Sequence, residues 1–146
     1  MESMNHQADI DTLNALLAAE YGSLVHRLAE AGAHVTWPAA GDHQIVQQML
    51  RETQAHQAAL AEAILRLRGA PRPPTYPTSV GGVHYLKLSF LMPQVIANVR
   101  NLVRLYEAAR VVDKAAAQVV RRHLDDHRRH LTELERLHAT LPRQAS

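Results

Sequence analysis

Gly69-Ala70-Pro71-Arg72-Pro73-Pro74-Thr75-Tyr76-Pro77-Thr78-Ser79-Val80-Gly81-Gly82 holds seven of the chain's thirteen glycines and prolines. Breakers at that density do not fit a helix or a central strand, so the stretch reads as the one obvious linker, dividing the 146 residues into similar halves. On its N-terminal side, Leu13, Leu16, Leu17, Leu24, Leu28 and Ala31 form a 3.6-residue stripe that predicts a helix over about 11–31. A second stripe, Ile45, Met49, Leu60, Ile64 and Leu67, follows Asp42, a good N-cap, and stops where Gly69 can act as a C-cap, predicting a helix over about 42–68. Beyond the linker, Val95, Val99, Leu102, Val103 and Tyr106 predict a third helix over about 91–111, with Pro93 near its start. Asp113 reads as the N-cap of a fourth over about 114–141, striped by Ala116, Val120, Leu124, Leu131, Leu134 and Leu141. The joint from Gly69 to Phe90 is the long one. An up-and-down bundle needs only a few residues at that joint, so the pattern predicts an all-α four-helix bundle with one long crossover between helices 2 and 3.

Composition agrees with a single domain over residues 1–146. Apolar residues make up 47% of the chain, enough for one core. The absence of cysteine excludes a disulfide scaffold, six glycines argue against a Gly-rich barrel, and 21% charged residues argue against a disordered tail. No apolar run approaches the roughly 20 residues that span a bilayer. Met1 to Asp9 lacks the apolar region of a secretory signal, so a cytoplasmic protein is expected. Fourteen of the sixteen Lys and Arg residues are arginines, but they alternate with Asp and Glu along helical segments. That pattern reads as a mixed-charge surface before it reads as a nucleic-acid footprint.

Polar residues inside an apolar stripe are the candidates for function, because burying them needs a compensating partner. Glu20 lies on the centre of the first stripe. His56 lies on the second, with Glu52 and Thr53 straddling its line. His123, His127 and His130, spaced four and three, share the face of Val120 and Leu134 on the fourth. A lone Glu or His on such a face is more often hydrogen-bonded at a bundle edge. Convergence from three helices on the bundle middle instead suits a metal ion. One carboxylate with imidazoles matches zinc, ferrous iron, copper or nickel better than magnesium or calcium. Tyr106 reads most simply as core, its hydroxyl needing a partner.

The same residues resemble the bacterioferritin branch of the ferritin-like proteins over about Asp11 to Leu141. Leu13 to Glu20 is similar to that family's first helix, which ends in a ligand glutamate. His56 to Pro71, with its Ile64-Leu65 pair and closing Gly69-Ala70-Pro71, is similar to the stretch after the family's first Glu-x-x-His motif. Leu105 to Ala108 resembles the third helix, and His127 to Leu131 stands where the second motif falls. The resemblance implies a ferritin-like bundle in which Glu20, His56 and His130 match ligands, while the helix-two, helix-three and helix-four glutamates fall on Thr53, Val99 and His127. Four carboxylates are what a dinuclear iron centre uses to offset and bridge two cations, so this set implies one ion. The expected ligands are Glu20, His56, His127 and His130, with His123 a spare ligand and Glu52 a shifted carboxylate able to swing inward. The expected ion is iron or zinc, with iron favoured by the resemblance alone. The methionine haem ligand of bacterioferritins falls on Gln54, which implies no haem. With no length beyond Leu141 for the fifth helix of cage-forming members, a homodimer is expected.

The primary expectation is therefore a metal-binding bundle with an oxidation or metal-handling role and no substrate specified. One alternative is a metal-free structural or dimer-forming module. The other is DNA binding in the manner of the mini-ferritins.

Overall fold

The computed structural model describes residues 2–74 and 87–142. Among them are five helices and no strand: α1 (Glu2–Tyr21), α2 (Val25–Gly32), α3 (Asp42–Arg66), α4 (Leu88–Ala108) and α5 (Lys114–Thr140). The predicted linker leaves the described residues from 75 onward, as does His84.

The expected helix over 11–31 is in fact two, and it begins well before Asp11. After Tyr21 the chain breaks for three residues, and the freed backbone groups find partners elsewhere. Gly22 N–H donates to the carbonyls of Ala18 and Ala19, both at 3.1 Å. Ser23 Oγ accepts from Val25 N at 3.3 Å. The Asn98 side chain, reaching from α4, accepts from Leu24 N at 2.9 Å and donates to Gly22 O at 3.5 Å. A cross-helix amide thus replaces the missing turn, as orphaned helix-end groups require.

The other three long helices occur within three residues of the expected ends, and the caps of α3 differ from those expected. Asp42 is the first residue of α3 and not its N-cap; Gly41, at φ 92°, takes that place, and Asp42 Oδ2 accepts from Ala39 N at 2.9 Å. At the other end of α3, Gly69 N donates to Ile64 O and Arg68 N to Leu65 O, both at 2.9 Å, the bonding of a Schellman motif. The left-handed residue there is Arg68, at φ 66°. Gly69 is needed for room, since a Cβ on it would lie 2.7 Å from Ile10 Cγ2. α4 begins at Leu88, three residues before the expected Leu91, so Pro93 lies inside it and costs one intrahelical bond. Asp113 caps α5 as expected, its Oδ2 accepting from Ala116 N at 2.9 Å.

The long helices pack together, α1 against α3 and α4, α5 against α3 and α4, with α2 against α3 and α4. Two apolar clusters result. One joins Ile10, Leu13, Leu17, Leu60, Ile64, Leu102, Tyr106 and Val120. The other joins Val25, Leu28, Val46, Met49, Leu91, Val95, Val99, Leu134 and Leu137. Glu20, His56, His123, His127 and His130, at most 5% exposed, fall between the two clusters along the chain: Glu20 between Leu17 and Val25, His56 between Met49 and Leu60, and the α5 histidines between Val120 and Leu134. Side chains of α1 tie down two neighbouring loops: Asp9 accepts from Val112 N and Asp113 N, both at 2.9 Å, and Asn14 Oδ1 accepts from Arg72 N at 2.8 Å.

Candidate metal centre

Glu20 sits in the last turn of α1, immediately before the break, and its side chain is completely buried. Its Oε2 is the meeting point. Tyr106 Oη–H, from α4, donates to it at 2.5 Å, and His127 Nε2–H, from α5, donates at 2.6 Å. His56 Nδ1, from α3, stands 3.3 Å from the same oxygen. Four helices therefore converge on one carboxylate oxygen.

Because the phenol gives its single proton to Glu20, the 3.2 Å contact between Tyr106 Oη and His123 Nδ1 is made by the imidazole N–H. The His123 ring lies over His56 with centroids 4.0 Å apart. On the outer side, His56 Nε2 donates to Asp126 Oδ2 at 2.9 Å, and His130 Nε2 donates to Glu52 Oε1 at 2.7 Å. Arg129 joins the two carboxylates: its Nη2 lies 3.0 Å from Glu52 Oε2 and 3.1 Å from Asp126 Oδ1.

Electrostatics keep the centre ionised at Glu20. Burial alone would raise its pKa, but the imidazoles of His127 and His56 held against Oε2 dominate and bring it from 4.5 to about 2. Burial likewise opposes a proton on His56, and Glu20 and Asp126 overcome it, so His56 titrates above its ordinary value. His123 has no carboxylate in contact, and burial beside the cationic forms of His56 and His127 lowers it to about 3. His130 is also lowered, by burial that its bond to Glu52 does not offset. Burial and the Glu20 charge push Tyr106 upward, so its phenol stays protonated. Glu52 and Asp126, though disfavoured by partial burial, are lowered by His130 or His56 and by Arg129.

Of the six residues expected as ligands, Glu20, His56 and His127 come together, each offering a ligand atom within 4.8 Å of the other two. An ion 2.0–2.2 Å from its donors holds them about 3–4 Å apart, so modest side-chain movement suffices. His130, His123 and Glu52 stand outside that group, His130 with Glu52, His123 with Tyr106. Glu52 has not swung inward; its side chain is 23% exposed and faces His130 and Arg129. Thr53 donates to its own helix, to Met49 O at 2.9 Å, and Val99 is fully buried in an apolar cluster, so neither position supplies a donor to the group.

Chemistry of the donor set fits a borderline divalent cation. Glu20 Oε1 and the Nδ1 atoms of His56, His127 and His130 are buried with no hydrogen-bond partner among the described residues. Buried polar atoms of this kind are costly unless an ion or water satisfies them. A cavity of about 300 Å³ lies against the α1 to α2 break, lined by Glu20, Ser23, Leu50, Thr53, Gln54 and Gln57 among others. Sequence reasoning missed Asp126 and Arg129 altogether, and assigned Tyr106 to the core without its partner. Asp126 and Arg129 flank the histidine stripe of α5 three residues apart, a spacing that by itself does not separate them from solvent-facing charges at a helix margin. Histidines off the stripes have local roles: His26 Nδ1 lies 2.7 Å from Ser23 O, and His43 Nε2 donates to Ala29 O at 3.0 Å.

No known protein family, curated protein or solved structure matches this chain.

Proposed function

We propose that the chain is a ferritin-like bundle that binds one transition-metal ion through Glu20, His56 and His127. The observation that carries the reading is the group itself: one ionised carboxylate and two imidazoles within 4.8 Å, with four buried polar atoms unpartnered around it. The ferritin-like part rests on helix direction. α3 starts beside one apolar cluster and ends in the other; α4 does the same, so the two run parallel, the relation that the second and third helices have in a bundle with one long crossover.

A bound ion of this class supplies Lewis acidity and, if iron, redox capacity. The chain's own residues prepare for it. Glu20 carries the charge that offsets the cation, and Tyr106 holds that carboxylate in place by donating to Oε2. To ligate through Nε2, His127 moves the proton it now gives Glu20 to its unpartnered Nδ1, and because only a neutral imidazole ligates, loading weakens in acid. Asp126, accepting from His56 Nε2, leaves His56 Nδ1 for the ion, the arrangement by which outer carboxylates orient ligand histidines.

Calorimetric titration with zinc and with ferrous iron tests this. The native protein takes up one ion per chain, His127→Ala loses binding, and His26→Ala keeps it. Equal affinities in the two variants contradict the proposal. The short bonds at 2.5 and 2.6 Å also favour a second reading, in which the network is a metal-free buried tie of a structural module. Elemental analysis of protein purified without a polyhistidine tag separates the two.

A further inference from the structure

We infer that Arg129 is a positioning residue that determines which ring nitrogen both His56 and His130 present to the interior. The inference rests on the proposed metal centre for its purpose, but its geometry stands apart from any ion. His56 and His130 come from different helices and never share a partner, yet each turns Nε2 outward onto a carboxylate, Asp126 at 2.9 Å and Glu52 at 2.7 Å. A carboxylate only accepts, so in the neutral rings Nε2 carries the proton and Nδ1 the lone pair. Both Nδ1 atoms are buried without a hydrogen-bond partner among the described residues; that of His56 stands 3.3 Å from Glu20 Oε2 but makes no hydrogen bond to it, so the 2.9 Å bond to Asp126 decides the tautomer.

The two carboxylates are not independent. One nitrogen of Arg129, Nη2, lies 3.1 Å from Asp126 Oδ1 and 3.1 and 3.0 Å from the two oxygens of Glu52. Asp126 divides its oxygens, Oδ1 to Arg129 and Oδ2 to His56. The result is a chain of contacts His56, Asp126, Arg129, Glu52, His130 that wraps from α3 to α5 and back. With the guanidinium gone, two carboxylates that share one cation lose it together, and each is freed to rotate into solvent. The side chain of Arg129 is 52% exposed, so its replacement leaves no hole in the core.

The test is ¹⁵N-¹H correlation spectroscopy of the imidazole rings in the full chain, metal-free and at alkaline pH, followed by titration with cobaltous ion alone. In the native protein both His56 and His130 show the Nε2–H tautomer. Arg129→Gln mixes tautomers at both rings, whereas Asp126→Asn alters His56 alone and Glu52→Gln alters His130 alone. Cobalt affinity in Arg129→Gln falls about 10- to 100-fold, with changed ligand-field bands, as for loss of an outer partner. Should Arg129→Gln fold poorly, Arg129→Met, which keeps the aliphatic stem without the cation, is read in the same way. Native tautomers at both rings, or a change at only one, overturn the inference. Changed tautomers with unchanged cobalt affinity overturn its link to the metal and leave the metal centre standing. A native protein that binds no cobalt removes the metal centre and, with it, the purpose assigned to Arg129.

Discussion

Glu20 Oε2 receives two short hydrogen bonds, and removing either one leaves a buried charge under-solvated. Tyr106→Phe deletes the 2.5 Å donor without changing the ring, so we expect a loss of about 2 kcal/mol in chemical denaturation, the usual worth of a bond to a charged group. Titration gives a second test at this scale. His123 is lowered from 6.5 to about 3, so the unfolded chain binds a proton there that the folded chain refuses. Its contribution is intact above pH 6.5 and is lost as pH falls toward 3. His130 acts with the same sign. His56 is raised, and its contribution is present below pH 6.5 and lost as pH rises through its folded value. Glu20, depressed to about 2, adds to the acid loss only below its ordinary 4.5. Between pH 6 and 5 the stability of the metal-free protein therefore falls, and His123→Gln should shed about one proton's share of that slope, ~1.4 kcal/mol per pH unit. Identical slopes contradict the assignment. Glu20, His56 and His127 were legible in the sequence because each is a polar residue on an apolar stripe. Asp126 and Arg129 were not, because a charged residue at a helix margin looks the same whether it faces water or a histidine from another helix.

At the scale of elements, the end of α3 stores strain that a substitution can relieve. Arg68 occupies a left-handed conformation at φ 66°, which costs a residue with a Cβ roughly 1 kcal/mol. Arg68→Gly should stabilise the protein by about that amount in urea denaturation. Gly69→Ala should do the reverse, by about 1–3 kcal/mol, because three Ile10 side-chain atoms lie within 2.9 Å of the added Cβ. Equal effects of the two substitutions contradict this description of the cap. Periodicity found the long helices and placed most of their ends within a turn. It missed the break after Tyr21, since Leu24 and Leu28 continue the stripe of Leu13 and Leu17 almost in phase. The signal for the break is long-range: Asn98, more than 70 residues away, supplies the hydrogen bonds that a continuous helix would have made. The cap assigned to Gly69 went astray for a similar reason, since Ile10 comes from another helix.

For the whole molecule, a buried polar layer separates two apolar clusters, and an ion in that layer would tie α1, α3 and α5 together. Binding only to the folded state stabilises it by about 2.7 kcal/mol at a ligand concentration of 100 Kd, a rise of roughly 5–10 °C in melting temperature for a chain of this size. Zinc should produce that shift in the native protein and in His26→Ala, and none in His127→Ala. The most direct measurement is X-ray absorption at the K-edge of zinc bound one per chain. The spectrum should show a shell of nitrogen and oxygen donors near 2.0–2.1 Å with outer-shell scattering from at least two imidazole rings, one of them lost in His127→Ala. A shell of oxygens without imidazole scattering, or a spectrum that His127→Ala leaves unchanged, would contradict the proposed metal centre.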